Sequence, residues 1–215
     1  MQPGISIRAL LTLLATLAVL MSAAVTSIGM APEPDAVPKK WELEVTPGPL
    51  RIATFRSAGQ APQRYFYLTY KVTNRTNSDV LFAPAFDLVT DDGGVLRSGR
   101  DVPADVTRKI ISDLANSQIQ DQISIVGTFL QGEENALDGV VVWPASDMAM
   151  NEIAIFGSGF SGETKVIQIA AKDTGKKVDV TLRKALSLRY SVHGEIVNMS
   201  SGDEFEIAEQ RWVMR

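Results

Sequence analysis

The sequence predicts a mainly β protein, an antiparallel β-sandwich of about eight or nine short strands with one short amphipathic helix. Three observations predict it. Segments in which apolar and polar residues alternate recur through residues 50–215, and turn residues such as Gly, Pro, Asn and Asp separate them. A single segment has helical periodicity. The strand–helix–strand rhythm that is typical of a parallel sheet does not occur in the sequence.

The first thirty residues predict a leader that directs the chain to a membrane. Ala9–Met30 has 22 residues without Asp, Glu, Lys, Arg or His, and as a helix it would be about 30 Å long, enough to cross a bilayer. A cleavable signal peptide is the other interpretation, because Leu10–Met21 is followed by small residues at Ser22–Ala24. An uncleaved signal anchor is favoured because apolar residues continue to Met30, and both interpretations stay open.

A Pro-containing segment follows the leader and joins it to the folded part of the chain. Trp41–Val45 lies between Pro38 and Pro47, which is typical of an extended tether that becomes an edge strand. The predicted regions are a signal anchor or signal peptide at 1–30, a Pro-rich linker and edge segment at 31–49, and a β-sandwich domain at 50–215.

Arg64–Asn74 is the clearest strand of the predicted domain. Phe66, Leu68, Tyr70 and Val72 share one face, and polar or amphipathic residues alternate with them, so we expect a central strand with one face in the core. The next strand is predicted at 80–90, where a proline at position 84 indicates an edge position or a bulge.

One helix is expected after the Asp91–Gly94 turn. Pro103–Asn116 places Val106, Ile110 and Leu114 at i, i+4 and i+8, with the proline near the first helical position. We expect this helix to cover an open end or an edge of the sheets.

Strand patterns resume after the helix and continue to the end of the chain. In Val178–Val192 the even-numbered positions are apolar except at Lys184. Because fifteen residues is long for one strand, we expect it to bend there and to serve two sheets or two sheet corners. We expect the Gly157–Gly162 segment to be a flexible hairpin loop. The other predicted strands are Gln122–Phe129, Gly139–Trp143, Glu152–Phe156, Thr164–Ala170 and Glu204–Met214.

Composition excludes several chemistries. The chain has no Cys, so disulfides, thiolate nucleophiles and Cys-ligated metals are excluded. Its single His, His193, excludes multi-His metal sites, and it is interpreted as an ordinary residue at a strand end. The formal net charge is −4 with scattered Lys and Arg, which is not the pattern of a nucleic-acid-binding protein.

Several motifs together carry a resemblance. YFYLTYKVTNRTNSDVLFAPAFDLVTDDGG resembles the immunoglobulin-like, telokin-like domains of bacterial exported proteins. DQISIVGTFLQGEENALDGVVVWP, the Gly157–Glu163 segment, LRKALSLRY and the terminal RWVMR are similar to a group of uncharacterised exported proteins of planctomycete-type bacteria. The similarity covers Trp41–Arg215. It implies an immunoglobulin-like fold and an extracytoplasmic location, and it implies no activity or ligand.

The richest polar segment is the predicted loop Gln131–Gly139. Its carboxylates Glu133, Glu134 and Asp138 could converge on a cation or a basic partner, although a solvated connection is the simpler interpretation. Paired carboxylates can also hydrolyse glycosidic bonds. An envelope hydrolase or metal-dependent enzyme that combines this loop with Asp91 or Asp92 is therefore one alternative function.

The three tryptophans are the other candidates for binding. Aromatic residues on a sheet face stack on sugar rings or anchor a protein partner, but Trp in a β-sandwich is more often part of the core. A glycan or small-ligand binder requires two of Trp41, Trp143 and Trp212 to be exposed on one concave face. Trp41 and Trp212 are the interaction candidates.

The leading hypothesis from sequence is a non-enzymatic binding or scaffold domain outside the cytoplasm. We expect it to be anchored in the cytoplasmic membrane through residues 9–30 and to face the periplasm, or to be secreted if the leader is cleaved. An envelope protein or a glycan is the expected partner, and nucleic acid is not. No residue is assigned to catalysis, to a cofactor or to a metal.

Overall fold

The computed structural model describes residues 31–37, 40–56, 61–91, 93–145, 151–171, 175–192 and 198–215. The chain divides into two units, Met1–Pro32 and Glu33–Arg215, and every element below lies in the second. The leader, Asp92 and His193 lie outside the described residues. Within the described part of the chain, no helix is both long enough and apolar enough to span a membrane.

The described chain is mainly β, as the sequence predicts, with 13 strands and one short helix. In chain order the elements are β1 (Glu44–Phe55), β2 (Gln63–Asn74), β3 (Val80–Phe82), β4 (Ala85–Thr90), β5 (Val95–Arg97), α1 (Ala104–Asp113), β6 (Ile119–Asp121), β7 (Gly127–Phe129), β8 (Gly132–Ala145), β9 (Glu152–Ser158), β10 (Thr164–Ala170), β11 (Lys177–Ser191), β12 (Glu204–Phe205) and β13 (Ile207–Met214).

Two large sheets contain most of these strands. The first has the order β12-β1-β2-β8-β6, and the second has the order β10-β11-β9-β4-β5 with β13 paired to β11. β3 and β7 form a separate two-stranded sheet. Pairing within the large sheets is antiparallel except between β6 and β8, which are parallel.

One hydrophobic core is shared by the two large sheets. Phe66, Leu68 and Tyr70 of β2 belong to the same buried cluster as Leu186 and Leu188 of β11. Alternation along β2 puts these side chains on a single face of the first sheet, as the sequence predicts. The fully buried Trp143 of β8 packs in the same cluster.

The helix α1 covers the outer face of the first sheet. Its buried residues Val106 and Ile110 pack against Tyr65, Val140 and Val142, whose neighbours in sequence point into the shared core. The predicted helix is confirmed, but the expectation that it covers an open end or an edge is wrong. Small and apolar residues on both faces of β8 explain why a helix packs there.

Three predicted strands are divided differently in the structure. The 80–90 segment breaks at Ala83-Pro84 into β3 and β4, which belong to different sheets. The 122–129 strand is reduced to β7, and an Asp121 side chain that accepts hydrogen bonds from Ile123 N and Ser124 N, both at 2.8 Å, turns the preceding chain. The last strand divides at Glu206 into β12 and β13.

Two segments that the sequence predicts as loops are ordered by pairing or packing. The acidic segment Gln131–Gly139 is strand from Gly132 onward, because β8 pairs with β2 from its first residue. The Gly157–Gly162 segment carries Phe160, which is fully buried, with its ring centroid 5.5 Å from those of Phe82 and Phe86. A buried aromatic ring fixes this segment, so the expectation of a flexible loop is wrong.

β11 changes partners along its length, but both halves belong to the same sheet, so the expectation of one strand that serves two sheets is not met. Residues 177–183 pair with β10, whereas the following residues pair with β13 on one side and β9 on the other. The change occurs at Lys184, the residue that interrupts the apolar pattern in the sequence. The lysine is buried there because it forms ion pairs with Glu42 and Glu163, and these pairs explain why a charged residue interrupts the apolar pattern.

Candidate ligand-binding cleft

An open cleft of about 690 Å³ lies where the start of β1 faces β13. This volume is in the range of small-ligand sites, roughly 300–1,000 Å³. The cleft has two partly exposed tryptophans, two cations, two anions, and hydroxyl and amide side chains. Its lining residues are Lys40, Trp41, Glu42, Leu43, Glu44, Val45, Arg75, Thr76, Asn77, Ser78, Gln210 and Trp212.

Trp41 is held in the cleft by the backbone of the 160–162 segment. Leu43 N donates to Phe160 O at 2.8 Å, and Gly162 N donates to Trp41 O at 3.0 Å. The indole lies directly on Gly162, where an added Cβ would be 2.6 Å from Trp41 Nε1. Glycine at position 162 therefore makes room for the ring, and the buried Leu43 anchors the strand beside it.

Trp212 reaches the cleft from β13. It pairs with Leu186, a core residue, so its side chain is on the inner face of the second sheet. Gln210 is two residues earlier and lies on the same face of β13. Among the described residues β13 pairs only with β11, and its other edge borders the cleft.

A buried charged cluster lies beneath the two tryptophans. Lys184 Nζ is 2.7 Å from Glu42 Oε2 and 3.2 Å from Glu163 Oε2, and the lysine side chain is only 3% exposed. The same ammonium group is 5.4 Å from the centroid of the Trp212 ring. Lys184 thus connects the Trp41 segment to the Trp212 strand, and an ammonium group at this distance is attracted to the face of an indole.

The surroundings of this cluster keep it ionised. The Asp35 backbone N–H donates to Glu163 Oε1 at 2.9 Å, and this bond together with Lys184 lowers the pKa of Glu163 although burial opposes the shift. Burial by itself would lower the pKa of Lys184, but the bonds to Glu42 and Glu163 outweigh it and raise that pKa. Both charges are therefore present at neutral pH.

The third wall of the cleft is the polar turn after β2. Asn74 is fully buried, and its Nδ2 donates to Ser78 O and to Phe129 O, each at 3.0 Å. Its Oδ1 accepts from Thr76 N at 3.0 Å. A side chain that bonds to its own turn in this way fixes the loop conformation, so Arg75 and the residues through Ser78 are presented on a rigid frame.

Arg75 connects this turn to both neighbouring strands. Its Nε pairs with Glu44 of β1, and its Nη2 is 3.2 Å from Glu133 Oε1 of β8. All three side chains are more than half exposed. The pair therefore contributes little to stability, but it neutralises charge at the rim of the cleft.

The structure separates the three acidic candidates. Glu133 reaches the rim of the cleft through Arg75, and the carboxylate of Glu134 lies against Gly132. Asp138 lies beside the end of α1, where its Oδ2 accepts from Asn116 Nδ2 at 3.4 Å. Convergence of the three carboxylates on one cation, which the sequence left open as the less simple interpretation, does not occur among the described residues, because β8 is a strand that spreads them along its length.

The described residues do not assemble the hydrolase alternative in its Asp91 form, and Asp92 lies outside them. Asp91 follows β4, whose last residue pairs with Ile153 at the start of β9, and it accepts from Asn151 N at 2.9 Å. Glu133 lies at the other end of the strands, near the end of β2 and the start of β1. Among the described residues no group of three or more His, Asp or Glu could hold a metal ion.

Most of the cleft was not visible in the sequence. Trp41 and Trp212 are the candidates that the structure brings together, and Trp143 is excluded because it is fully buried. Arg75 and Gln210 were missed. The turn that carries Arg75 has the sequence of an ordinary polar turn, and Gln210 is one of several polar residues in the last strand, so no local signal marks either residue.

Comparison with protein-family models, with curated proteins and with solved structures gives no match to this chain. The geometry of the cleft is therefore the basis for assigning a function to this protein.

Proposed function

We propose that this protein is a non-enzymatic binding module that works outside the cytoplasm and holds a glycan chain in the cleft between Trp41 and Trp212. The observation that carries the proposal is the presence of two partly exposed tryptophans in one concave site. Indole faces stack on the apolar faces of sugar rings, and tryptophan gives a large contact area with little loss of side-chain entropy.

The polar lining supports a neutral ligand that is rich in hydroxyl groups. Lys40 and Arg75 are balanced by Glu42 and Glu44, so the formal charges of the lining cancel. The amide of Gln210 can donate and accept hydrogen bonds, as sugar hydroxyls do. An open cleft with these groups suits a section of a longer chain better than an enclosed small molecule.

The proposal places this cleft outside the cytoplasm. The uncharged run at residues 9–30 supports a signal anchor, and a cleaved leader would give a secreted form of the same module. The resemblance to exported bacterial proteins supports the same compartment. We also infer that the two sheets form an immunoglobulin-like sandwich; their shared core and antiparallel pairing support this, whereas the parallel β6–β8 pair is an addition to that pattern.

Binding of soluble oligosaccharides to the full chain in detergent tests the proposal. A panel that includes cellohexaose and chitohexaose is titrated by calorimetry against the natural chain, Trp41→Ala and Trp212→Ala. We expect at least one member to bind and each substitution to weaken it at least tenfold. Tyr67→Ala is the matched control, because Tyr67 is a partly exposed aromatic residue on the outer face of β2.

Two results would contradict the proposal. One is the absence of binding to every member of the panel by a chain that is folded. The other is an affinity that Tyr67→Ala lowers as much as the two tryptophan substitutions do. Retention of an envelope protein instead of a glycan would favour the scaffold hypothesis.

A further inference from the structure

β10 and the first half of β11 form a two-stranded arm, Thr164–Arg183, with one apolar face. The register pairs Ile167 with Val180, Ile169 with Val178 and Lys165 with Leu182, and residues paired across two strands share a face. The opposite face carries Thr164, Gln168, Asp179, Thr181 and Arg183, together with Val166.

This apolar face is not part of either core. None of its residues belongs to the two hydrophobic clusters. Toward the tip Ile169 is 45% exposed and Val178 is 41% exposed. Single exposed apolar residues need no explanation, but a continuous apolar face on a projecting hairpin indicates a contact surface.

The tether crosses the base of this same face. Lys165 Nζ donates to Glu33 O and is 3.9 Å from Asp35 Oδ1. Asp35 N in turn donates to the buried Glu163. The chain is therefore fixed to the base of the arm at the point where it leaves the folded unit.

The few residues between Glu33 and the uncharged run limit how far the base of the arm can be from that run. Three peptide units separate Glu33 from Met30, the last residue of the uncharged run, and they span at most about 11 Å. If residues 9–30 are a membrane anchor, Glu33 is attached to the end of that anchor by a reach of at most about 11 Å, somewhat more than the roughly 5–8 Å that headgroups add on each side of the hydrocarbon.

The charges on the arm agree with a lipid surface. Lys176 and Lys177 are exposed at its tip; Lys176 has the same parity along the strand as Val178, whereas Lys177 pairs with Ala170 on the opposite face. A basic residue near an anionic bilayer is attracted to it, and apolar side chains beside it enter the interface.

We propose that the outer part of the apolar face of the arm, residues Ile167, Ile169, Val178 and Val180, beyond the base that the tether covers, lies on the surface of an anionic lipid bilayer. The inference rests on the anchoring of residues 9–30 in the proposed function and does not depend on the cleft. The arm and the anchor together would give the domain a fixed orientation, rather than leaving it to rotate about a single attachment.

The absence of Cys in the chain allows a direct test. Val178→Cys and Thr181→Cys, each labelled with a bimane fluorophore, place probes on the two faces of the same strand. The full-length variants are reconstituted in vesicles of phosphatidylcholine and phosphatidylglycerol, with and without a nitroxide-labelled lipid as quencher. We expect the Val178 probe to be quenched at least threefold more than the Thr181 probe, and Lys176→Glu with Lys177→Glu to remove the difference.

Each outcome bears on a stated part of the proposal. Equal quenching of the two probes, in a chain that stays with the vesicles after an alkaline wash, overturns the arm contact and leaves the anchor intact. Loss of the chain from the vesicles contradicts the anchor and overturns the arm contact with it. Circular dichroism of both variants confirms that they are folded, and neither substitution touches the oligosaccharide cleft.

Discussion

Lys184 is the residue on which the local architecture depends most. It is a cation with almost no exposed surface, and it joins Glu42 of the tether to Glu163 and to the face of Trp212. A buried charge is tolerated only when it is paired, because its desolvation penalty is large. The cluster therefore stabilises one arrangement of the two cleft walls rather than adding net stability.

Removal of the lysine is expected to be costly. Lys184→Met leaves two carboxylates beside an apolar side chain, and loss of one partner from a buried ion pair costs about 3–5 kcal/mol. Urea unfolding of the variant measures this loss. Lys109→Met is the matched control, because the Lys109–Asp113 pair on α1 is exposed and its loss costs about 0.5 kcal/mol. Equal losses would show that the cluster is not a buried network.

The stability of the domain should fall on the acid side of neutrality. The pKa of Glu163 is lowered in the folded state by the Asp35 N–H and by Lys184, so its ionised form stabilises the fold above the ordinary Glu pKa. That contribution is lost as pH falls below about 4.3 through the lowered value. Glu163→Gln should make the melting temperature fall less steeply as the pH is lowered, because it removes this titrating carboxylate. A fall that Glu163→Gln does not alter would contradict this origin.

Gly162 is expected to control the position of Trp41. Its backbone does not require glycine, since its φ is not in the left-handed region, but a Cβ there would meet the indole at 2.6 Å. Gly162→Ala should therefore shift the ring and lower oligosaccharide affinity several-fold with little change in the urea midpoint. Gly127→Ala is the matched control, because an added Cβ there would meet no atom within 4 Å. Gly175→Ala is not suitable, because its φ of +65° would strain any alanine. Unchanged affinity in Gly162→Ala would show that the ring position is unimportant for binding.

Among the secondary-structure elements, the alternating pattern of strands and the 3.6-residue pattern of helices predicted those whose position depends on local sequence alone. The central strand around Phe66 and the helix around Ile110 are both confirmed. The proline at position 84 predicted an edge or a bulge, but the division there into strands of different sheets and the division at Glu206 were not predicted, because a strand that passes from one sheet to another keeps its alternation. The acidic segment after Gln131 was interpreted as a loop because its polar residues give no apolar face.

The site was even less accessible to prediction than the fold. Trp41 and Trp212 are 171 positions apart in the sequence, and the pairing of β13 with β11 together with the Lys184 cluster brings one toward the other. Arg75 lines the same cleft. It lies in a turn whose conformation is fixed by the hydrogen bonds of the buried Asn74. Long-range pairing of this kind has no local signal.

The helix α1 should be an integral part of the domain rather than an appendage. Ile110 is 2% exposed and packs on Val140 and Val142 of β8. Ile110→Ala should cost about 2–4 kcal/mol in urea unfolding, the usual cost of a large-to-small change at a buried site. Arg108→Ala, at an exposed position on the same helix, should change stability by less than about 0.5 kcal/mol. A loss below 1 kcal/mol for Ile110→Ala would show that the helix packs loosely.

In the whole molecule, the tether, the cleft and the base of the arm lie close together. The tether, the cleft and the base of the arm all lie around the buried Lys184 cluster, through Asp35, Trp41 and Lys165. If the anchoring proposed for residues 9–30 holds, the cleft lies at the end of the domain where the tether enters it. It would therefore hold a glycan close to the surface from which the tether emerges.

The most direct measurement of the central claim is an NMR titration of the three tryptophan indole N–H signals with the oligosaccharide that binds. Trp41 and Trp212 line the cleft, whereas Trp143 is fully buried in the core and serves as an internal control. We expect the Trp41 and Trp212 signals to shift and saturate together while the Trp143 signal stays in place. Saturable binding that shifts neither Trp41 nor Trp212 would contradict it.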